Sequence, residues 1–137
     1  MKKQWEEIVE LSEFWAFNGL WMFIRDEYKN FSEARKVFLG IVEELLAHGR
    51  IKLSKRGALL ESSVIEQISL LEQALPVDRR EMVFGSAAAS SSLPGQIEDF
   101  DQMAEDAKIA EESLWFFREE CPAGVVWIRD DGSEEWT

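Results

Sequence analysis

One thiol, Cys121, and one imidazole, His48, are the only side chains of their kind in 137 residues, and they stand 73 positions apart. Cysteine catalysis needs a thiolate activated by a neighbouring base. Cys121 instead follows Glu119-Glu120, whose charges oppose ionisation of the thiol. A zinc site needs imidazole and thiolate at defined spacing, which one of each does not supply. Paired carboxylates could do acid/base work as in glycosidases, but among 27 acidic residues some close pair is guaranteed by number. Asp101 and Glu105 share a helix face, and Asp130-Asp131-Gly132 reads as a turn rather than a calcium loop, whose ligand spacing it lacks. Gly-x-Ser-x-Gly, dinucleotide and kinase-type motifs do not occur. The reading is a protein without enzymatic activity and without a cofactor or metal.

The remaining chemistry is that of contact. Residues 96–137 hold 3 basic and 13 acidic side chains, a balance of −10 out of −12 for the chain. Such a surface repels nucleic-acid phosphate and attracts a basic partner. The candidate partner-binding residues are Glu105 and Glu112 on a helix, Asp130, Asp131, Glu134 and Glu135 in a closing hairpin, and Trp136 as an aromatic anchor. Against this trend, four cations and the histidine crowd into nine residues, His48 to Arg56. Arg50, Lys52, Lys55 and Arg56 are therefore the alternative site, for phosphate or nucleic acid. The simpler expectation is that these cations pair with the chain's own acidic end, and that His48 is a favourable last-turn residue of a helix.

Several elements must position these groups. Trp5, Ile8, Val9, Leu11, Phe14 and Trp15 recur at helical spacing and predict a helix from about Lys3 to Phe17, ended or bent by Asn18-Gly19. Leu20 to Tyr28 is a second helical piece whose aromatics read as core. Ser32 as N-cap, an apolar stripe from Ala34 to Leu46 and Gly49 as stop predict a third helix. Arg50 to Leu53 alternates like a short strand, with a turn over 54–57. Ser63 and Glu66 form a capping box for a helix that Pro76 stops. Residues 85–95 read as a flexible surface loop, and Gln96 to Glu119 as one long amphipathic helix with an acidic outer face. Val125 to Ile128, the turn signal Asp131-Gly132 and Glu134 to Thr137 predict the hairpin.

The expected architecture is mainly α (α+β): a single domain over 1–137, four to five helices around one core, with a small antiparallel hairpin or sheet at the C-terminus. A hairpin alone is marginal in water, so it must pack on helices or gain a strand, which Arg50 to Leu53 could supply. The length and an apolar share of 46 % suffice for one core without staples. One cysteine excludes an intrachain disulfide and suits the cytoplasm. The N-terminus lacks the pattern of a signal peptide. Phe14 to Ile24, interrupted by Asn18-Gly19, is too short to cross a membrane.

Two segments together carry a family resemblance. Gly49-Arg-Ile-Lys-Leu with Gly57-Ala-Leu-Leu-Glu-Ser-Ser-Val-Ile-Glu-Gln-Ile, and the ending Cys121 to Thr137, resemble the small bacterial proteins grouped as domain-of-unknown-function family 596. The resemblance implies a bacterial cytoplasmic protein with no assigned activity, so no family site residues transfer. By analogy of size and charge it also looks like immunity proteins that neutralise bacterial toxins. The leading expectation is thus an acidic protein-binding module, in its sharpest form an immunity protein against a basic toxin. The alternatives are a phosphate or nucleic-acid binder through 50–56, and a homodimer.

Overall fold

The computed structural model describes residues 1–85 and 99–137. The expected loop over 85–95 lies outside the described residues apart from Gly85. Three helices open the chain: α1 (Lys3–Ser12), α2 (Phe17–Glu27) and α3 (Phe31–Ala47). A two-stranded hairpin follows, β1 (Ile51–Lys55) and β2 (Ala58–Leu59), then α4 (Val64–Ala74) and α5 (Arg79–Phe84). Residues 99–102 are helical, α6 spans Glu105–Ser113, and a 3-10 turn covers Leu114–Phe117. The chain ends in β3 (Gly124–Ile128) and β4 (Glu134–Trp136). The fold is α+β, mainly helical, with one small antiparallel sheet.

Local chemistry accounts for most boundaries. At the end of α3, Gly49 takes a left-handed φ of 70°. Arg50 N–H then donates to Leu45 O and Gly49 N–H to Leu46 O, the paired bonds of a Schellman stop. The start of that helix differs from expectation by two residues. Asn30, rather than Ser32, is the cap, its side chain accepting from Glu33 N–H at 3.0 Å; both types cap well, and Phe31 gains burial by joining the helix. Ser63 caps α4 as expected. Helix α5 is an element the fading apolar period concealed, although Asp78 with Glu81 three residues on is itself a start signal; Asp78 accepts from Arg80 and Glu81 N–H.

Two expectations are corrected. The first helix stops at Ser12 rather than at Asn18-Gly19, which lie inside α2. Phe14 turns the corner with a φ of 69°, and Ser12 Oγ donates back to Ile8 O at 3.0 Å. Phe14, Trp15 and Phe17 are too many large apolar groups in one short run for a single helix face, and the corner divides them. The long helix expected over 96–119 is broken at 103–104 and tightens into a 3-10 turn after Ser113. That tightening buries Trp115 and lays the partly buried Phe116 against Trp21 and Phe38.

The sheet has order β2-β1-β3-β4, every pair antiparallel. The segment 50–53 does join the C-terminal hairpin: Ile51 pairs with Trp127 and Leu53 with Val125, so all four side chains face the helices. Lys52, Val126 and Trp136 share the opposite face. β1 and β2 are linked by Arg56-Gly57 alone, with φ of 52° and 79°, the two positive values a tight type I′ hairpin demands. One core cluster runs from Ile8 in α1 through α2 and α3 to Trp127 in β3. Gly40 lets the Trp5 indole lie on α3, since an added Cβ would stand 2.7 Å from Trp5 Cη2.

Candidate docking surface

The structure separates the seven candidate partner-binding residues. Glu112 is fully buried and is excluded from any surface. It accepts from Trp21 Nε1 at 3.0 Å, from Arg25 Nε at 2.9 Å and from Arg25 Nη2 at 3.2 Å. Arg79 Nε lies 2.5 Å from Glu112 Oε2 but is not aligned to donate, so that arm is an ion contact. A desolvated carboxylate must be paired in this way, and Glu112 thereby ties α6 to α2 and α5. Its place in the helical acid pattern looked no different from its neighbours'; the buried face of α6 simply includes it.

Glu105 is exposed but engaged, with Arg79 Nη2 at 2.9 Å from its Oε2 and Lys108 Nζ at 3.6 Å from its Oε1. The Arg79 hydrogen bond holds its carboxyl below the ordinary value. Partial burial works against the Arg79 charge, yet Glu105 and Glu112 keep that guanidinium above its ordinary value. In the hairpin, Glu134 pairs with Lys52 at 3.7 Å and Glu135 with Arg129 at 2.9 Å. Trp136 lies on the outer sheet face, opposite Val126.

Asp130 and Asp131 remain at the exposed hairpin tip. Asp131 Oδ1 accepts from Ser133 Oγ at 2.6 Å and from Ser133 N–H at 2.9 Å, which stiffens the turn and lowers the Asp131 carboxyl below its usual range. The tip faces the α1–α2 corner. Glu13, Phe14, Arg129, Asp130 and Asp131 line one depression of about 490 Å³. Arg129 stacks over the Phe14 ring with its guanidinium carbon 4.6 Å from the centroid. Trp127 Nε1 donates to Trp15 O at 2.7 Å, so the sheet clamps the corner.

Trp15, the residue after Phe14 in the chain, belongs to a separate apolar groove of about 380 Å³, lined by Trp15, Met22, Phe23, Asp26, Asp106 and Ile109. Trp15 is 56 % exposed and Met22 40 %, large for side chains that the helical period assigns to core. Of the rim carboxylates, Asp26 meets Lys29 only at 4.0 Å. Glu13, Asp106 and Asp130 form no ion pair among the described residues. An apolar floor bounded by uncompensated acids is suited to a ligand that is apolar at its centre and cationic at its edge. Trp15, Met22, Asp26 and Asp106 were not among the candidates read from the sequence. The run Phe14-Trp15-Ala16-Phe17 was the available signal.

The alternative site also divides. Arg50 pairs with Glu6 at 2.5 Å and Lys52 with Glu134, as the expectation of internal pairing has it, though for Arg50 the partner lies in α1. Lys55 and Arg56 form no ion pair among the described residues and are exposed. His48 sits at the end of α3, 3.3 Å from Glu44. Burial pushes the Cys121 thiol up to about 11, leaving it protonated. Among the described residues no group of three or more His, Cys, Asp or Glu gathers as a metal set, and no helix is long and apolar enough to cross a membrane.

Comparison with known proteins places the chain in a family. Residues 46–137 match the family described as "Protein of unknown function, DUF596", and the chain belongs to it. No curated protein matches. A solved structure from Neisseria meningitidis, titled an uncharacterized protein conserved in bacteria, COG3792, shares the fold with a TM-score of 0.68 at 24 % identity. The alignment covers 97 % of this chain and 86 % of that one.

Proposed function

We propose that this member of the DUF596 family is a protein-binding module whose partner is a basic protein domain, docked on the groove between α2 and α6 and on the hairpin tip. The observation that carries this reading is the pairing of exposed Trp15 and Met22 with the rim acids Asp26 and Asp106 in one groove. One residue before Trp15, Phe14 shares a second depression with Glu13, Asp130 and Asp131. Charge of one sign steers a basic partner and speeds encounter, while buried aromatic area slows its release. In its most specific form the reading is immunity: neutralisation of a basic toxin domain in the cytoplasm, a compartment that a single unpaired cysteine suits.

The test is affinity capture from the lysate of a bacterium carrying this gene, at low salt and after nuclease treatment. Wild-type chain and a Trp15→Ala/Asp106→Lys/Asp130→Lys variant serve as paired baits. A basic protein retained by the first and lost from the second supports the reading. Equal retention on both refutes this surface, and recovery of the bait alone shifts the reading to self-association.

A further inference from the structure

A second cleft opens at the end of the sheet remote from the hairpin tip, where the ends of three strands converge. It encloses about 660 Å³, within the usual range for small-molecule sites. Its floor is Ser54 on β1 beside Gly124 on β3, directly paired across the sheet. Both are small, and a Cβ at Gly124 would meet only Ser54 Oγ, at 3.6 Å. One wall is the Lys55-Arg56-Gly57 turn, the other is Trp136 at the end of β4, and Phe116 and Glu119 close the helical side. β1 and β4 lie two strand spacings apart, roughly 10 Å.

We propose that this cleft binds a nucleoside diphosphate. Lys55 and Arg56 have no ion pair among the described residues. They therefore offer two cations at low cost, and adjacent phosphates match adjacent cations. Trp136, 44 % exposed, supplies an aromatic face on which a base stacks. Glu119, the acidic side chain in the lining, repels a bare anion but accepts hydrogen bonds from sugar hydroxyls. A ligand with an aromatic end, hydroxyls in its middle and a phosphate end satisfies all three. The tight hairpin fixes the backbone from which the two cations project, because Arg56 and Gly57 occupy the two positive-φ positions of a two-residue loop. The site lies on residues distinct from the docking surface, so either assignment can fail alone.

The experiment is isothermal titration of the full chain at low salt with ADP and GDP, and with pyrophosphate and adenosine as the two halves of the ligand. At least one nucleotide is expected to bind one to one, about tenfold or more tighter than either half. Lys55→Glu with Arg56→Glu should abolish binding and Trp136→Ala should weaken it about tenfold. Gly124→Leu should block it by filling the floor, and Lys36→Glu on α3 should leave it unchanged. Unaltered urea midpoints for the Lys55 and Arg56 variants confirm that they fold. Absence of nucleotide binding at millimolar concentration overturns the proposal. So does pyrophosphate binding as tightly as the nucleotide, or binding that survives the double charge reversal.

Discussion

Replacing Glu112 by alanine removes the carboxylate that pairs with the buried Arg25 guanidinium and also touches Arg79. The Arg25 side chain is 1 % exposed and that of Glu112 0 %, so the variant leaves a desolvated cation. Arg25 keeps its hydrogen bonds to Tyr28 O at 3.1 Å and Lys29 O at 2.6 Å, which soften but do not neutralise the charge. Trp21 Nε1 also loses its acceptor. Breaking a buried ion pair from one side costs about 3–5 kcal/mol, and Arg79 adds less because it keeps Glu105 at 2.9 Å. For a chain of this length that cost corresponds to a fall in melting temperature of roughly 10–20 °C. Urea unfolding followed by circular dichroism measures it directly, and the midpoint should fall with the slope retained. Asp106→Ala, on the same helix but exposed, should change stability by less than about 0.5 kcal/mol. Replacing the pair together, Arg25→Met with Glu112→Leu, should recover part of the loss, since no unpaired charge is left inside although Trp21 Nε1 still lacks its acceptor. A Glu112→Ala variant within about 1 kcal/mol of wild type, or a double variant no better than the single one, would refute the view of Glu112 as the structural clasp.

Gly40→Ala should destabilise by about 1 kcal/mol, because overpacking against Trp5 outweighs the gain in helix propensity. In a Trp5→Leu background the same change should stabilise by a similar amount, and a double-mutant cycle on urea midpoints reads the reversal of sign. Acid should expose the depressed carboxyls. Glu105 and Asp131 have folded values below their ordinary ones, so their contribution is present above those ordinary values. It is lost as pH falls through the lower folded values. Below about pH 5 the urea midpoint should decline, and Glu105→Gln should flatten the lowest part of that decline. Cys121, with its thiol near 11, should react with an aromatic disulfide reagent at pH 8 far more slowly in the native chain than in urea. Comparable rates would show that the thiol is not shielded.

Sequence alone determined the features that depend on local chemistry. The stop at Gly49, the cap at Ser63, the Asp131-Gly132 turn and the stripe of α3 each rest on interactions within a few residues, and each stands where expected, whereas in α4 Ile65 is left 79 % exposed and Gln67 is buried. The participation of residues 50–53 in the sheet was also legible, because a lone hairpin cannot persist in water. Tertiary structure decided what depends on distant neighbours. Glu112 carries the same charge and propensity as Glu111, and only the approach of Arg25 and Arg79 makes it an interior residue. The corner at Phe14 is held from outside the helix, since Trp127, more than a hundred residues later, donates to the Trp15 carbonyl that a continued helix would use. The same corner leaves Trp15 beside Asp26 and Asp106 in a groove. Net charge can be counted along a chain, but whether a given charge meets solvent, a counterion or the core is settled by packing between elements.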